Sequence, residues 1–195
     1  WAMGAFTGPF GYPALGRLHQ DRLCLANTKV DPQTVWMSQP SSWEVFKTSI
    51  PTKDDDGITL TLASKQVNEI RGLASKSDLL AFTSGGPWVI SAGMNRDVFT
   101  PSAIVARQSS TFGCAFVDPL DIGTSLFYVQ RAKKKVRGIG YRLESDGYVS
   151  SDISILATHL TERADIKYWA FQQEPWSIAW MVLSDNSVIS LTVQE

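Results

Sequence analysis

Four pairs of short apolar runs recur along the chain, and their spacing constrains the fold more than any single residue does. The leading runs are RLHQDRLCLA, GLASKSDLLAFT, IGTSLFYVQR and PWSIAWMVLS, and each is followed by a partner: TVWMS, GPWVISA, KVRGIGY and NSVISLTV. Aligned on Leu23, Leu80, Phe127 and Ala179, the units lie 57, 47 and 52 residues apart. A period of about fifty residues built from alternating strands is that of β-propeller blades, not of helical repeats. A small twisted sheet cannot bury its faces alone, so each unit must lean on its neighbours. The expected fold is therefore all-β: a β-propeller-like array of about four blade units, complete or part of a larger propeller, with one short helix between units.

Turn chemistry supports this reading. Asn27, Asp31 and Pro32 punctuate the first pair, Gly85 and Gly86 the second, the AKKK tract the third, and Asp185 with Asn186 the fourth. ITLTLAS adds a further strand. In LESDGYVSSDISILATHL, Ser151 is placed to cap a helix carrying Ile153, Leu156, Ala157 and Leu160 on one face. Residues 1–13, rich in Gly, Pro and aromatics, read as an arm or linker ahead of a propeller-like domain at 14–195. The opening WAMGAFTGPFGYP and the ending SLTVQE suggest an excerpt of a longer chain.

Composition excludes several classes. With 18 basic and 19 acidic residues the net charge is -1, so bulk electrostatics give no dedicated nucleic-acid or membrane-surface binder. Every apolar run is broken by a charge, Pro or Gly well short of a membrane span, and no membrane insertion by this segment is expected. Cys24 and Cys114 sit in apolar strand-like runs, where a small buried thiol is the ordinary role and no disulfide framework is indicated.

Chemistry-bearing constellations are sparse. Arg131, Lys133, Lys134, Lys135 and Arg137 concentrate positive charge at an expected hairpin tip, either a solvated turn or a transient phosphate contact. Of seven tryptophans, Trp36, Trp88 and Trp180 fall inside strands and read as packing residues, whereas Trp1, Trp43 and Trp176 lie beside Gly, Pro or Ser and are candidate surface contacts. Asp54, Asp55 and Asp56 read as a solvated acidic turn in preference to a cation site. His19 and His159 have no nucleophile elbow beside them, Cys24 lacks a cationic cluster that would activate it, and neither a phosphate loop nor a zinc pattern is present. No enzymatic activity, metal or cofactor is expected.

The runs GYPALGRLHQDRLCLANTKVDPQTVWMSQ, DDDGITLTLASKQVNEIRGLASKSDLLAFTSGGPWVIS, RQSSTFGCAFVDPLDIGTSLFYVQR, KVRGIGYRLESDGYVSSDISILATHL and FQQEPWSIAWMV carry a resemblance over nearly the whole chain. With DPQTVW, TLASKQVN, LESDGY and QQEP in that order, the chain resembles a bacteriophage and prophage structural-protein family: the tail nozzle, or tail tubular, proteins of short-tailed phages, often mislabelled after a ubiquitin-activating-enzyme domain. The resemblance implies a propeller-containing subunit of a ring, hexameric in the full-length protein, that extends the portal conduit for DNA ejection. Implied partners are further copies of itself, portal or adaptor and tail-fibre proteins, and transient non-specific DNA. The implied location is the virion tail, assembled in the bacterial host cytoplasm. No catalytic residues carry over. Where the family has something like GDYENF, this sequence reads PSSWEVF, with Trp43 at the aromatic position. The alternative is a carbohydrate-binding or carbohydrate-cleaving propeller of a receptor-recognition device, which needs exposed aromatics beside paired carboxylates, with Glu144, Asp146, Glu174 and Asp185 as candidates.

Overall fold

A computed structural model describes residues 6–64, 66–93 and 98–193; Trp1 lies outside them. Four separate antiparallel sheets follow one another along the chain, each formed by strands consecutive in sequence. The first holds β1 (Leu15–His19), β2 (Arg22–Ala26), β3 (Thr34–Met37) and β4 (Ile58–Thr61). The second holds β5 (Ile70–Ser75), β6 (Leu79–Thr83), β7 (Gly86–Ala92) and β8 (Ile104–Gln108). The third comprises β9 (Leu120–Ile122), β10 (Ser125–Val129), β11 (Val136–Arg142) and β12 (Gly147–Asp152). The fourth comprises β13 (Ile166–Gln172), β14 (Ile178–Leu183) and β15 (Val188–Thr192). The all-β expectation is met, and the residues aligned in the sequence, Leu23, Leu80, Phe127 and Ala179, each fall on the second strand of a sheet.

Alternation along these second strands explains how the sheets stack. On β6, Leu79 and Ala81 join Cys24, Ala26, Val35 and Met37 of the first sheet in one core, while Leu80 and Phe82 face the other way. There they meet Leu126, Tyr128 and Ile139 of the third sheet. Val129 and Val136 of the third sheet then pack with Ile166, Met181 and Leu183 of the fourth. Because side chains alternate between faces, a strand covered on both sides carries apolar residues on both faces, as LLAF of β6 does ahead of the buried Thr83.

The ends of the array differ. Trp36 turns away from the first core and is 6% exposed, because the Phe6 ring lies edge-on to it at 5.2 Å and Phe46 packs against Phe6 at 5.6 Å. On the fourth sheet the corresponding face is open: Tyr168 is 71%, Trp180 42% and Val188 59% exposed. Their register places them together, Tyr168 opposite Val182, Val182 opposite Val188 and Trp180 opposite Ala170. Trp180 is thus a correction to the sequence reading. Its strand is right, but no sheet covers the face it occupies among the described residues.

Two further readings are corrected. The run RLHQDRLCLA contains a hairpin of its own, β1 to β2, turned by Gln20 and Asp21, both with positive φ as the tight two-residue turn requires. The helix expected across Ile153 to Leu160 shrinks to α1 (Thr158–Thr161), placed between the third and fourth sheets. Gly147–Asp152 instead pairs with β11, so Ser151 is a strand residue and caps nothing; Ala157 occupies the N-cap without a side-chain bond. Leu156 is 92% exposed, so the proposed apolar face has nothing to pack on.

Arg22 is the least expected core residue. It is 1% exposed between the first and second sheets, where its guanidinium donates to the carbonyls of Ser38 and Asp56 at 2.7 Å, Phe99 at 3.1 Å and Asp54 at 3.2 Å. A planar five-donor fork is suited to gathering several loop carbonyls at one point.

Candidate functional site

The basic tract forms the turn between β10 and β11, with Lys133 in the left-handed region and its N–H donating to the Gln130 carbonyl at 2.7 Å. Only part of its charge faces solvent. Lys134 pairs with Asp165 at 3.1 Å and Lys135 with Asp152 at 3.0 Å. Burial works against ionising Asp152, but hydrogen bonds from Lys135 and Ser154 outweigh it and hold the carboxyl below its ordinary range. Arg137 does not belong to the tip at all: it is buried on β11, its guanidinium 3.7 Å over the Phe112 ring and its Nε donating to Ser150 Oγ at 3.1 Å. That corrects its assignment as a candidate DNA contact. Arg131 and Lys133 keep side chains with no ion pair among the described residues.

The surface aromatics are not brought together. Trp43, 54% exposed, stands on the loop between β3 and β4, and the exposed Trp176 on the connection from β13 to β14. The carboxylates weighed for glycoside chemistry are likewise scattered over turns. Glu144 is exposed, Asp146 accepts the Tyr141 hydroxyl at 2.6 Å, Glu174 is exposed beside Pro175, and Asp185 accepts from the Ser187 N–H and hydroxyl.

The thiols are inert by burial, which pushes Cys24 up to about 12 and raises Cys114 as well. His19 is buried beside Phe99, with Nδ1 2.8 Å from Ser75 Oγ, and burial lowers its pKa while Asp78 partly opposes. The acidic turn is only partly solvated. Asp54 and Asp55 are exposed, but Asp56 is buried because it ties its loop, accepting from the N–H groups of Lys53 at 2.9 Å and Ser49 at 2.8 Å, bonds that lower its pKa. No cluster of three or more His, Cys, Asp or Glu suited to a metal occurs among the described residues, and none of their helices is long and apolar enough to cross a membrane.

One site was not read from the sequence. At the end of the second and third sheets, the β4–β5 connection, the β6–β7 turn, the β8–β9 connection and the β10–β11 turn enclose a cleft of about 730 Å³. Its lining includes Gln66, Asn68, Gln108 and Gln130 together with Trp88 and Arg131. The amides come from three segments far apart in sequence, so no local motif announces them. Of its lining, Arg131 had been singled out as a possible DNA contact and Trp88 as a packing residue.

No protein-family profile matches this chain, and no curated protein matches it significantly.

Proposed function

We propose that the chain is a structural subunit of a phage tail: its sheets are blades of a β-propeller, and its full-length form assembles into a sixfold nozzle ring on the portal or adaptor, beside tail-fibre proteins. It works in the virion tail after assembly in the host cytoplasm, by association and not by catalysis. DNA passes it with weak, sequence-independent contact through Arg131 and Lys133, in keeping with a net charge of -1.

The observation that carries this reading is the open face of the fourth sheet. IAWMVL of β14 is apolar at every position, the pattern of a strand covered on both faces, yet Trp180 and its neighbours Tyr168 and Val188 are exposed. A further blade packed on this face resolves the mismatch, as each sheet already covers the one before it. The sequence resemblance supplies the tail context.

The test is the full-length protein with Trp180→Asp and Val188→Asp. Loss of ring mass in solution and of rings in electron micrographs, with the strand content of the free subunit retained, is expected. Normal rings and normal genome delivery would end the proposal, as would reproducible catalytic turnover by the purified protein.

A further inference from the structure

We infer that the cleft at the end of the second and third sheets is a binding site for a saccharide bearing a carboxylate group. The site is independent of the tail proposal and stands on its own geometry.

Its walls are tied together by the backbone. The Cys114 N–H donates to Thr83 O at 2.9 Å, Ser84 N–H to Glu69 O at 2.9 Å and Arg131 N–H to Gly113 O at 2.7 Å. The segments approach so closely that glycine is required twice. A Cβ on Gly113 would lie 2.1 Å from the Ser84 carbonyl, and Gly86, at φ +136, would place one 2.0 Å from the Ser110 carbonyl. The opening is therefore built by the fold, and its size is within the range of small-ligand pockets.

The lining specifies the chemistry. Trp88 is nine-tenths buried, and its indole Nε1 has no hydrogen-bond partner among the described residues; nor has the buried Oε1 of Gln130. Both residues line the cleft, so its walls carry one unmet donor and one unmet acceptor. Asn68 is held by Ser64 Oγ at 2.9 Å and Gln108 by the carbonyls of Gly85 and Ser110 at 3.1 Å, so these amides are already oriented. Bound this way, Gln108 has both N–H groups in use and turns its Oε1 to a ligand as an acceptor, while Asn68 keeps one N–H to donate to a sugar hydroxyl.

Charge then narrows the class. No Asp or Glu is among the described residues that line the cleft, while Arg131 brings a guanidinium with no partner among them. A guanidinium forms two parallel bonds to a carboxylate. Nucleic acid fits less well, since each nucleotide adds a phosphate and the described lining supplies one cation. Base stacking is also poorly served: Trp88 is buried in the first core and one face of Phe112 is covered by Arg137.

Calorimetry on the purified chain tests this, using trigalacturonate, its methyl ester, sialyllactose and a short oligothymidylate. Trigalacturonate or sialyllactose should bind at one site per chain. Esterifying trigalacturonate, or introducing Arg131→Gln, should weaken saccharide binding about tenfold or more, the loss expected for a charge-assisted bond. Gln130→Leu should also weaken it, whereas Lys133→Gln, on the same turn but outside the cleft, should not. Failure of both acidic saccharides to bind overturns the proposal. So does equal affinity for the ester, indifference to Arg131→Gln, or oligothymidylate binding with the same residue dependence.

Discussion

The first and fourth sheets are built alike in pairing and unlike in cover. Both have a second strand hydrogen-bonded on each side, β2 between β1 and β3, β14 between β13 and β15. On the first sheet the outward face is closed by the chain itself, with Phe6 and Phe46 over Trp36; on the fourth, Tyr168, Trp180 and Val188 meet solvent. Strand pairing therefore does not by itself cover both faces of a sheet. Burial of the second face is a separate condition, and apolar area removed from water is the dominant favourable term in folding.

The largest effects should fall at the sealed end. Arg22→Leu leaves several loop carbonyls without a donor, and since each such buried group costs roughly 1–3 kcal/mol, a loss of about 4 kcal/mol is expected in urea unfolding. A change near zero would mean that the loop carbonyls find water and that the guanidinium is not what holds the junction.

Trp36→Ala should cost about 3–5 kcal/mol as a large-to-small core change, and Trp180→Ala less than about 1 kcal/mol in the isolated chain. Equal costs would erase the contrast between the two sheets. Under the proposed ring assembly, the Trp180 change should become the more damaging of the two for ring formation, which sharpens the contrast instead.

These expectations show where sequence was informative. Second and third strands were legible because buried alternation and turn residues are local signals: LLAFT, SGG and GPWVISA define β6, its turn and β7 without reference to the rest of the chain. Cover was not legible, since β6 and β14 both carry apolar residues on both faces and only the neighbouring sheet distinguishes them. The helix was overcalled at Ile153 because pairing of Gly147–Asp152 with β11 overrides helical spacing. Arg22 drew no reading from the sequence and Arg137 was placed at the basic tip, yet one is buried among carbonyls and the other against Phe112 and Ser150, partners up to 77 residues away. The cleft was invisible for the same reason: its amides converge only through the fold.

A smaller effect follows from His19, again at the sealed end. Burial holds its pKa below the ordinary 6.5, so as pH falls through that value the unfolded chain takes up the proton first. The His19 contribution to stability is thus intact above about pH 6.5 and declines below it. The melting temperature should drop between pH 7.5 and 5.5, and His19→Gln should flatten part of that slope; an unchanged slope would assign it to other groups.

The smallest effect belongs to the tip. Lys134→Gln and Lys135→Gln each remove a partly exposed ion pair, and each should cost about 0–1 kcal/mol, less at high salt. A larger loss would make this turn a structural joint to Asp165 and Asp152, with β13 and the fourth sheet depending on it.

Amide hydrogen exchange on the isolated chain tests the role of cover most directly, because β6, β10 and β14 all lie between two hydrogen-bonded neighbours and differ in whether both faces are buried. If face burial sets local stability, Leu80, Phe82, Leu126 and Tyr128 amides should exchange slowest, and those of Trp180, Met181 and Val182 measurably faster. Protection of β14 equal to that of β6 and β10 would contradict the account.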